Sequence, residues 1–182
     1  MLAAGLGAAA TVGAAASGLG AAAGRPAEAL RTVEVAPGLR IHPRSTWGAD
    51  LPPRAAMAPE QVKFLLVHHT ASSNVVPDVR SVIRQTYAFQ TGPSKRWADI
   101  CYHFMIGPDG SVWETRAGSL AGPVVADASG GNQGYAQLVC LVGDFTNQAP
   151  TAAAQESLAR TLLFLADRYG VDTDPAATVG FV

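Results

Sequence analysis

The chain of 182 residues has no basic block: 13 Lys and Arg face 14 Asp and Glu, for a net charge of −1. Phosphate binding needs a concentrated cationic surface, so a nucleic-acid partner is not indicated. Cysteine is scarce. Cys101 and Cys140 are too few for a disulfide scaffold and lack the C-x-x-C spacing of a zinc clip. Histidine occurs only at positions 42, 68, 69 and 103, and no internal repeat is visible. Charge is absent from Met1 to Gly24, which is almost wholly Ala and Gly with scattered Leu, Val and Thr. That composition reads as the apolar core of a secretory signal, with Ala21-Ala22-Ala23 as the small-residue cleavage site, although the usual basic start is missing. A low-complexity tail is the alternative. A membrane anchor is disfavoured because Leu, Ile and Phe are few. The expected place of the protein is outside the cell.

What is present centres on Val62-Lys63-Phe64-Leu65-Leu66-Val67-His68-His69-Thr70, an apolar, β-branched and aromatic run that ends in two imidazoles and a hydroxyl. Such a run reads as a buried strand. Side chains alternate across a strand, so Phe64, Leu66 and His68 share one face, and Leu65, Val67 and His69 the other. Trp97 to Ile106 reads as a second strand, with Tyr102 and Phe104 on the face opposite Cys101, His103 and Met105. Gly107-Pro108-Asp109-Gly110 is a turn, and Ser111 to Glu114 the return strand of a hairpin. Gln137 to Val142 is a third strand.

Two helices flank these strands. Asp78 caps one that carries Val79, Val82, Ile83 and Tyr87 on one face and fades at Thr91-Gly92-Pro93. Thr151 caps another, with Leu158, Leu162, Leu165 and Tyr169 as its core stripe and Gly170 as its end. Residues 1–24 are signal-like, 25–43 read as a linker, and 44–182 as one domain. The glycine-rich stretch from Thr115 to Gly134 is long enough for a functional loop. The order of elements implies an α/β fold, a mixed central β-sheet flanked by helices.

One histidine of the pair and Tyr102 can meet above the same sheet. An imidazole at a strand end is a good zinc ligand, and a nearby phenol can hydrogen-bond a developing oxyanion. By themselves these residues fit equally a core histidine beside a surface one. His42, before a proline, reads as surface or packing.

Four ordered motifs narrow the choice. Val67-His68-His69-Thr70-Ala71, Trp97-x-Asp99-Ile100-x-Tyr102-x-Phe104-x-Ile106, Asp109-Gly110-x-Val112-x-Glu114-x-Arg116 and Leu141-Val142-Gly143-Asp144-Phe145 resemble the peptidoglycan recognition protein / N-acetylmuramoyl-L-alanine amidase family. Arg44-x-x-Trp47-Gly48-Ala49 is similar to the opening of its recognition-protein branch.

The resemblance implies a zinc amidase that cleaves the amide between the lactyl group of N-acetylmuramic acid and the first L-alanine of the stem peptide. His68 is then a Zn2+ ligand, Tyr102 assists attack on the amide, and His69 is structural. Glu114 and Arg116 either pair beside the groove or contact substrate. The expected partner is peptidoglycan or its muropeptides. Cys140 is a buried apolar thiol at a position where some amidases of this group place a glutamate. Cys101 is expected on the other side of the sheet, which argues against a bridge between them.

The pattern also breaks. The family completes its zinc site with a later His and a Cys or Asp, and the sequence holds no His after His103 and no Cys after Cys140. A domain incomplete at its C-terminal side is the expectation, and a non-catalytic peptidoglycan-binding module is the alternative function. Further departures are Gln90, where a helix-end His is frequent, Thr115, where Gly is common, and Asp127 or Ala128, where a substrate-contacting His is common.

Overall fold

The structure, a computed structural model, describes residues 31–127, 134–174 and 176. The signal-like segment, Ala128 and residues 177–182 lie outside the described residues. Six strands form one sheet: β1 (Val33–Ala36), β2 (Leu39–His42), β3 (Phe64–His69), β4 (Phe104–Ile106), β5 (Val112–Glu114) and β6 (Ala136–Leu141). Their spatial order is β1-β2-β5-β4-β6-β3. β4 and β5 form the expected antiparallel hairpin, while β6 runs parallel to both β4 and β3.

The helices are α1 (Ser45–Gly48), α2 (Val79–Thr91) and α3 (Ala152–Tyr169). Both long ones start where short polar side chains can satisfy free amides. The Asp78 carboxylate accepts from the Arg80 amide, and the Thr151 hydroxyl accepts from the Ala154 amide at 3.1 Å. α3 stops at Gly170, whose φ of +64° suits glycine, and the Gly170 amide donates to the Ala166 carbonyl.

Each face of the sheet carries its own core. On one side Ile83 and Tyr87 of α2 pack with Trp47, Ile100, Met105, Trp113, Leu138 and Cys140. On the other, the stripe of α3 (Leu158, Leu162, Leu165, Tyr169) packs on Ile41, Phe104, Ile106, Val139 and Leu141. Burying each such aliphatic side chain contributes roughly 1.5–3 kcal/mol. The result is a helix–sheet–helix sandwich, as the pattern of elements implies.

Two expectations need correction. Residues 33–42, read as part of a linker, form β1 and β2, and β2 pairs in parallel with β5 through Ile41 and Val112. The run is short, and its alternation (Leu39 and Ile41 buried, Arg40 exposed) covers only one strand, too little to stand out against a polar surround. Second, the strand expected over Trp97–Ile106 shrinks to Phe104–Ile106. Residues 97–103 bend, so the alternation restarts at Phe104. Phe104 therefore joins the α3-side core, while Tyr102, Cys101 and Met105 lie in the α2-side core. Tyr102 and Phe104 do not share a face, and Cys101 lies on the same side as Cys140.

Candidate functional site

β3 carries His68 and His69 at its C-terminal end, in parallel register with Cys140 and Leu141 of β6. The two imidazoles part as alternation requires. His69 turns away: its Nδ1 accepts the Phe145 amide at 3.0 Å, and its ring lies 6.2 Å from that of Phe145. His68 faces the α2 side, where its ring centroid is 5.6 Å from that of Tyr102 at an angle of 44°. Thus the structure brings together His68 and Tyr102.

Tyr102 reaches that position from the bent segment 97–103, whose backbone is fastened from three directions. The Thr115 hydroxyl donates to the Tyr102 carbonyl at 2.7 Å. Gln90 accepts the Cys101 amide at 2.9 Å, and Arg116 donates to the Ile100 carbonyl at 2.8 Å. The phenol borders a cleft of about 240 Å³ between β3 and α2, walled by Thr70, Ser72, Gln85, Thr86, Phe89 and Gln90. Phe89 is 58% exposed, an aromatic ring on the polar face of α2. Sequence reasoning missed this wall; the one available signal was a large ring off the helix's core stripe. Larger concavities of about 780 and 460 Å³ lie along α3, lined by residues that do not include Tyr102. We place the candidate site by its chemistry, at the smaller cleft.

The loop after β6 is fastened to the end of β3 and the segment that follows it. Gly143 has φ of +141°, and a Cβ there would stand 2.3 Å from Asn74 Oδ1 and 2.6 Å from Phe145 Cζ. Only glycine fits such an approach. Asn74 clasps the same turn, accepting the Asp144 amide at 2.7 Å and donating to the Asp144 carbonyl at 2.9 Å. The Gly143 amide donates to the Thr70 hydroxyl at 2.8 Å, tying this turn to the end of β3.

Glu114 and Arg116 are both buried, and they do not pair with each other. Glu114 accepts the Arg44 amide at 3.0 Å and the Leu120 amide at 2.9 Å. Arg116 pairs with Asp127 at 2.8 Å and also donates to the Val125 carbonyl. Arg44 is a second hub. It donates to the Thr115 and Leu51 carbonyls, stacks 4.6 Å over Trp47, and pairs at 3.0 Å with the fully buried Asp99. Burial pushes the Asp99 carboxyl up, opposed by the Ala117 amide and by both arginines. Asp99 stands inside a motif, yet nothing in the sequence announced its partners.

His103 is wholly buried, hydrogen-bonded to the Val124 carbonyl and the Leu138 amide. Cys140 and Cys101 are buried thiols not joined in a disulfide. Burial raises the Cys140 thiol well above its ordinary range, with Cys101 adding to the shift and a hydrogen bond with Tyr102 opposing it. A thiol held neutral is a poor metal donor. A catalytic zinc needs three protein ligands. Among the described residues no three His, Cys, Asp or Glu side chains converge to hold a metal ion. His68 therefore does not find the rest of a zinc site among them.

The family model for N-acetylmuramoyl-L-alanine amidase matches residues 58–180. A human N-acetylmuramoyl-L-alanine amidase is 33% identical over 150 residues, covering 77% of this chain and 24% of that protein. Peptidoglycan-recognition protein LE of Drosophila melanogaster is 33% identical over 128 residues, covering 68% of this chain and 35% of that one. The chain thus spans about a quarter to a third of the length of these relatives. Among solved structures, human PGRP-IBETAC in complex with glycosamyl muramyl pentapeptide superposes with a TM-score of 0.58 at 28% identity, covering 74% of this chain and 79% of that one.

Proposed function

The chain belongs to the N-acetylmuramoyl-L-alanine amidase family, and from that premise we propose that it binds peptidoglycan, holding a muropeptide stem in the cleft between β3 and α2. The observation that carries this reading is Tyr102, whose ring lies 5.6 Å from that of His68 and which borders a cleft walled by hydroxyls, amides and one exposed aromatic ring. Neutral donors and acceptors suit peptide amides and sugar hydroxyls, and Phe89 offers an apolar platform for a methyl or a sugar face. The similar human domain was solved with a glycosamyl muramyl pentapeptide, which supports the same ligand class here. Peptidoglycan lies outside the cytoplasmic membrane, so the reading carries with it secretion or wall association and a signal role for residues 1–24.

Hydrolysis of the lactyl–L-alanine amide is the second reading, favoured by the family and by the pairing of an imidazole with a phenol. In it Tyr102 donates a hydrogen bond to the carbonyl oxygen of the bound amide as charge gathers there. Zinc chemistry would need two ligands besides His68 that the described residues do not supply, so we derive no step through a metal. Glu114 and Arg116 serve here as the frame behind Tyr102, since their polar atoms are spent on internal partners; direct substrate contact by either would require breaking those bonds.

The test is calorimetric binding of purified muropeptides, alongside release of stem peptide from murein with and without added zinc. We expect saturable binding that weakens at least tenfold in Phe89→Ala and Tyr102→Ala. Absence of binding, or binding that both substitutions leave intact, would overturn the reading. Peptide release that depends on zinc and on His68 would establish the amidase.

A further inference from the structure

We infer that Gln90 and Thr115 are positioning residues that set the Tyr102 phenol in the cleft; this rests on the reading of that cleft as the muropeptide site. Residues 97–102 lie outside the strands, and backbone pairing with β6 resumes at His103, whose amide donates to the Leu138 carbonyl; the buried amides and carbonyls just before it must be satisfied otherwise. Two of the groups flanking the Tyr102 side chain are taken by side chains from outside the segment. The Cys101 amide, one residue before, donates to Gln90 Oε1 at 2.9 Å, and the Gln90 amide nitrogen lies 3.4 Å from Cys101 Sγ. The Tyr102 carbonyl accepts the Thr115 hydroxyl at 2.7 Å.

Gln90 is 5% exposed and Thr115 is fully buried, so neither bond competes with bulk water. The two come from different elements, the last turn of α2 and the residue after β5. Between them they fix the backbone on both sides of one α-carbon, and with it the direction in which the phenol leaves the chain. Neither side chain carries charge, so each can be changed without stranding an ion. Arg116, which fastens Ile100, is bound to Asp127 and is a less clean probe. Gln90 also lines the cleft, whereas Thr115 acts only from behind, and Thr115 therefore separates positioning from direct contact.

The experiment labels the protein with 3-fluorotyrosine and follows Tyr87, Tyr102, Tyr135 and Tyr169 by fluorine NMR, with Tyr102→Phe identifying the signal of interest. In Thr115→Val, which keeps the shape and loses the hydroxyl, the Tyr102 resonance should shift or broaden while the other three hold. Muropeptide affinity should fall about tenfold, and Thr115→Ser should restore both. Gln90→Leu should perturb the same resonance independently, which keeps the test decisive if the valine variant fails to fold. An unmoved Tyr102 signal in a folded variant, or equal shifts in all four tyrosines, would overturn the proposal. If the unaltered protein binds no muropeptide, the reading of the site fails on its own, and the resonance still decides whether these residues hold the phenol.

Discussion

Acid should unfold this protein through His103, and the effect can be worked from its two hydrogen bonds. Nδ1 accepts the Leu138 amide at 2.8 Å, so the ring proton must sit on Nε2, which donates to the Val124 carbonyl at 2.7 Å. A second proton would have to displace the Leu138 amide inside a site closed to water. Burial drives the imidazole from 6.5 down to about 3, with Arg116 adding to the shift and the Val124 bond opposing it. The unfolded chain takes up the proton below pH 6.5 and the folded one only near pH 3. Stability therefore rises with pH across that window, is full above it, and is lost as pH falls through it.

At pH 4.5 the term amounts to about 3 kcal/mol, a large share of the 5–15 kcal/mol typical of a domain. Urea unfolding between pH 4 and 7.5 measures it, with His103→Gln as the reference. The glutamine offers an acceptor for Leu138 and a donor for Val124, and it does not titrate. The unaltered protein should lose stability with a slope steeper than the variant's by about 1.4 kcal/mol per pH unit between roughly pH 4 and 6. Parallel profiles, or a ring at position 103 that titrates near 6.5 in the folded protein, would refute the reasoning.

Gly143→Ala should destabilise by roughly 1–3 kcal/mol, since the new methyl meets Asn74 and Phe145 in a backbone region that disfavours side chains. Thermal unfolding reads the loss, and an unchanged midpoint would contradict the close approach. Cys101 and Cys140 should resist a water-soluble disulfide reagent in the native state and react together only on unfolding, because both are buried and the Cys140 thiol is held neutral. Rapid labelling of the native protein would show that the α2-side core opens to solvent.

Much of this was legible in the sequence where one kind of signal ran long enough. Both long helices start and stop at the caps the sequence offers, Asp78 and Thr151 at their beginnings and Gly170 at the end of the second. β3 was readable because the unbroken apolar and aromatic run Phe64-Leu65-Leu66-Val67 precedes a polar break. The face of His68 followed from simple alternation, since β3 is regular as far as His69. The same rule failed one element later. Residues 97–103 look like a strand by composition, yet their backbone is held by side chains distant in sequence, and no local pattern carries that information. The partners of Arg44 and Asp99 were hidden for the same reason: a buried ion pair joining positions 44 and 99 leaves no mark on the neighbours of either.

The parallel pairing of β2 with β5 bears on where the domain can be cut. Leu39 and Ile41 are sealed beneath α3, and Ile41 lies beside Val112 in the ladder. A shortened chain starting at Arg44 would discard both side chains and lay bare one flank of β5, whose amides and carbonyls could then recruit a neighbouring molecule. Starting at Arg31 keeps that flank covered. The ten residues that resemble a tether in the sequence are thus the selvedge of the sheet, and trimming them would turn a monodisperse preparation into an aggregating one.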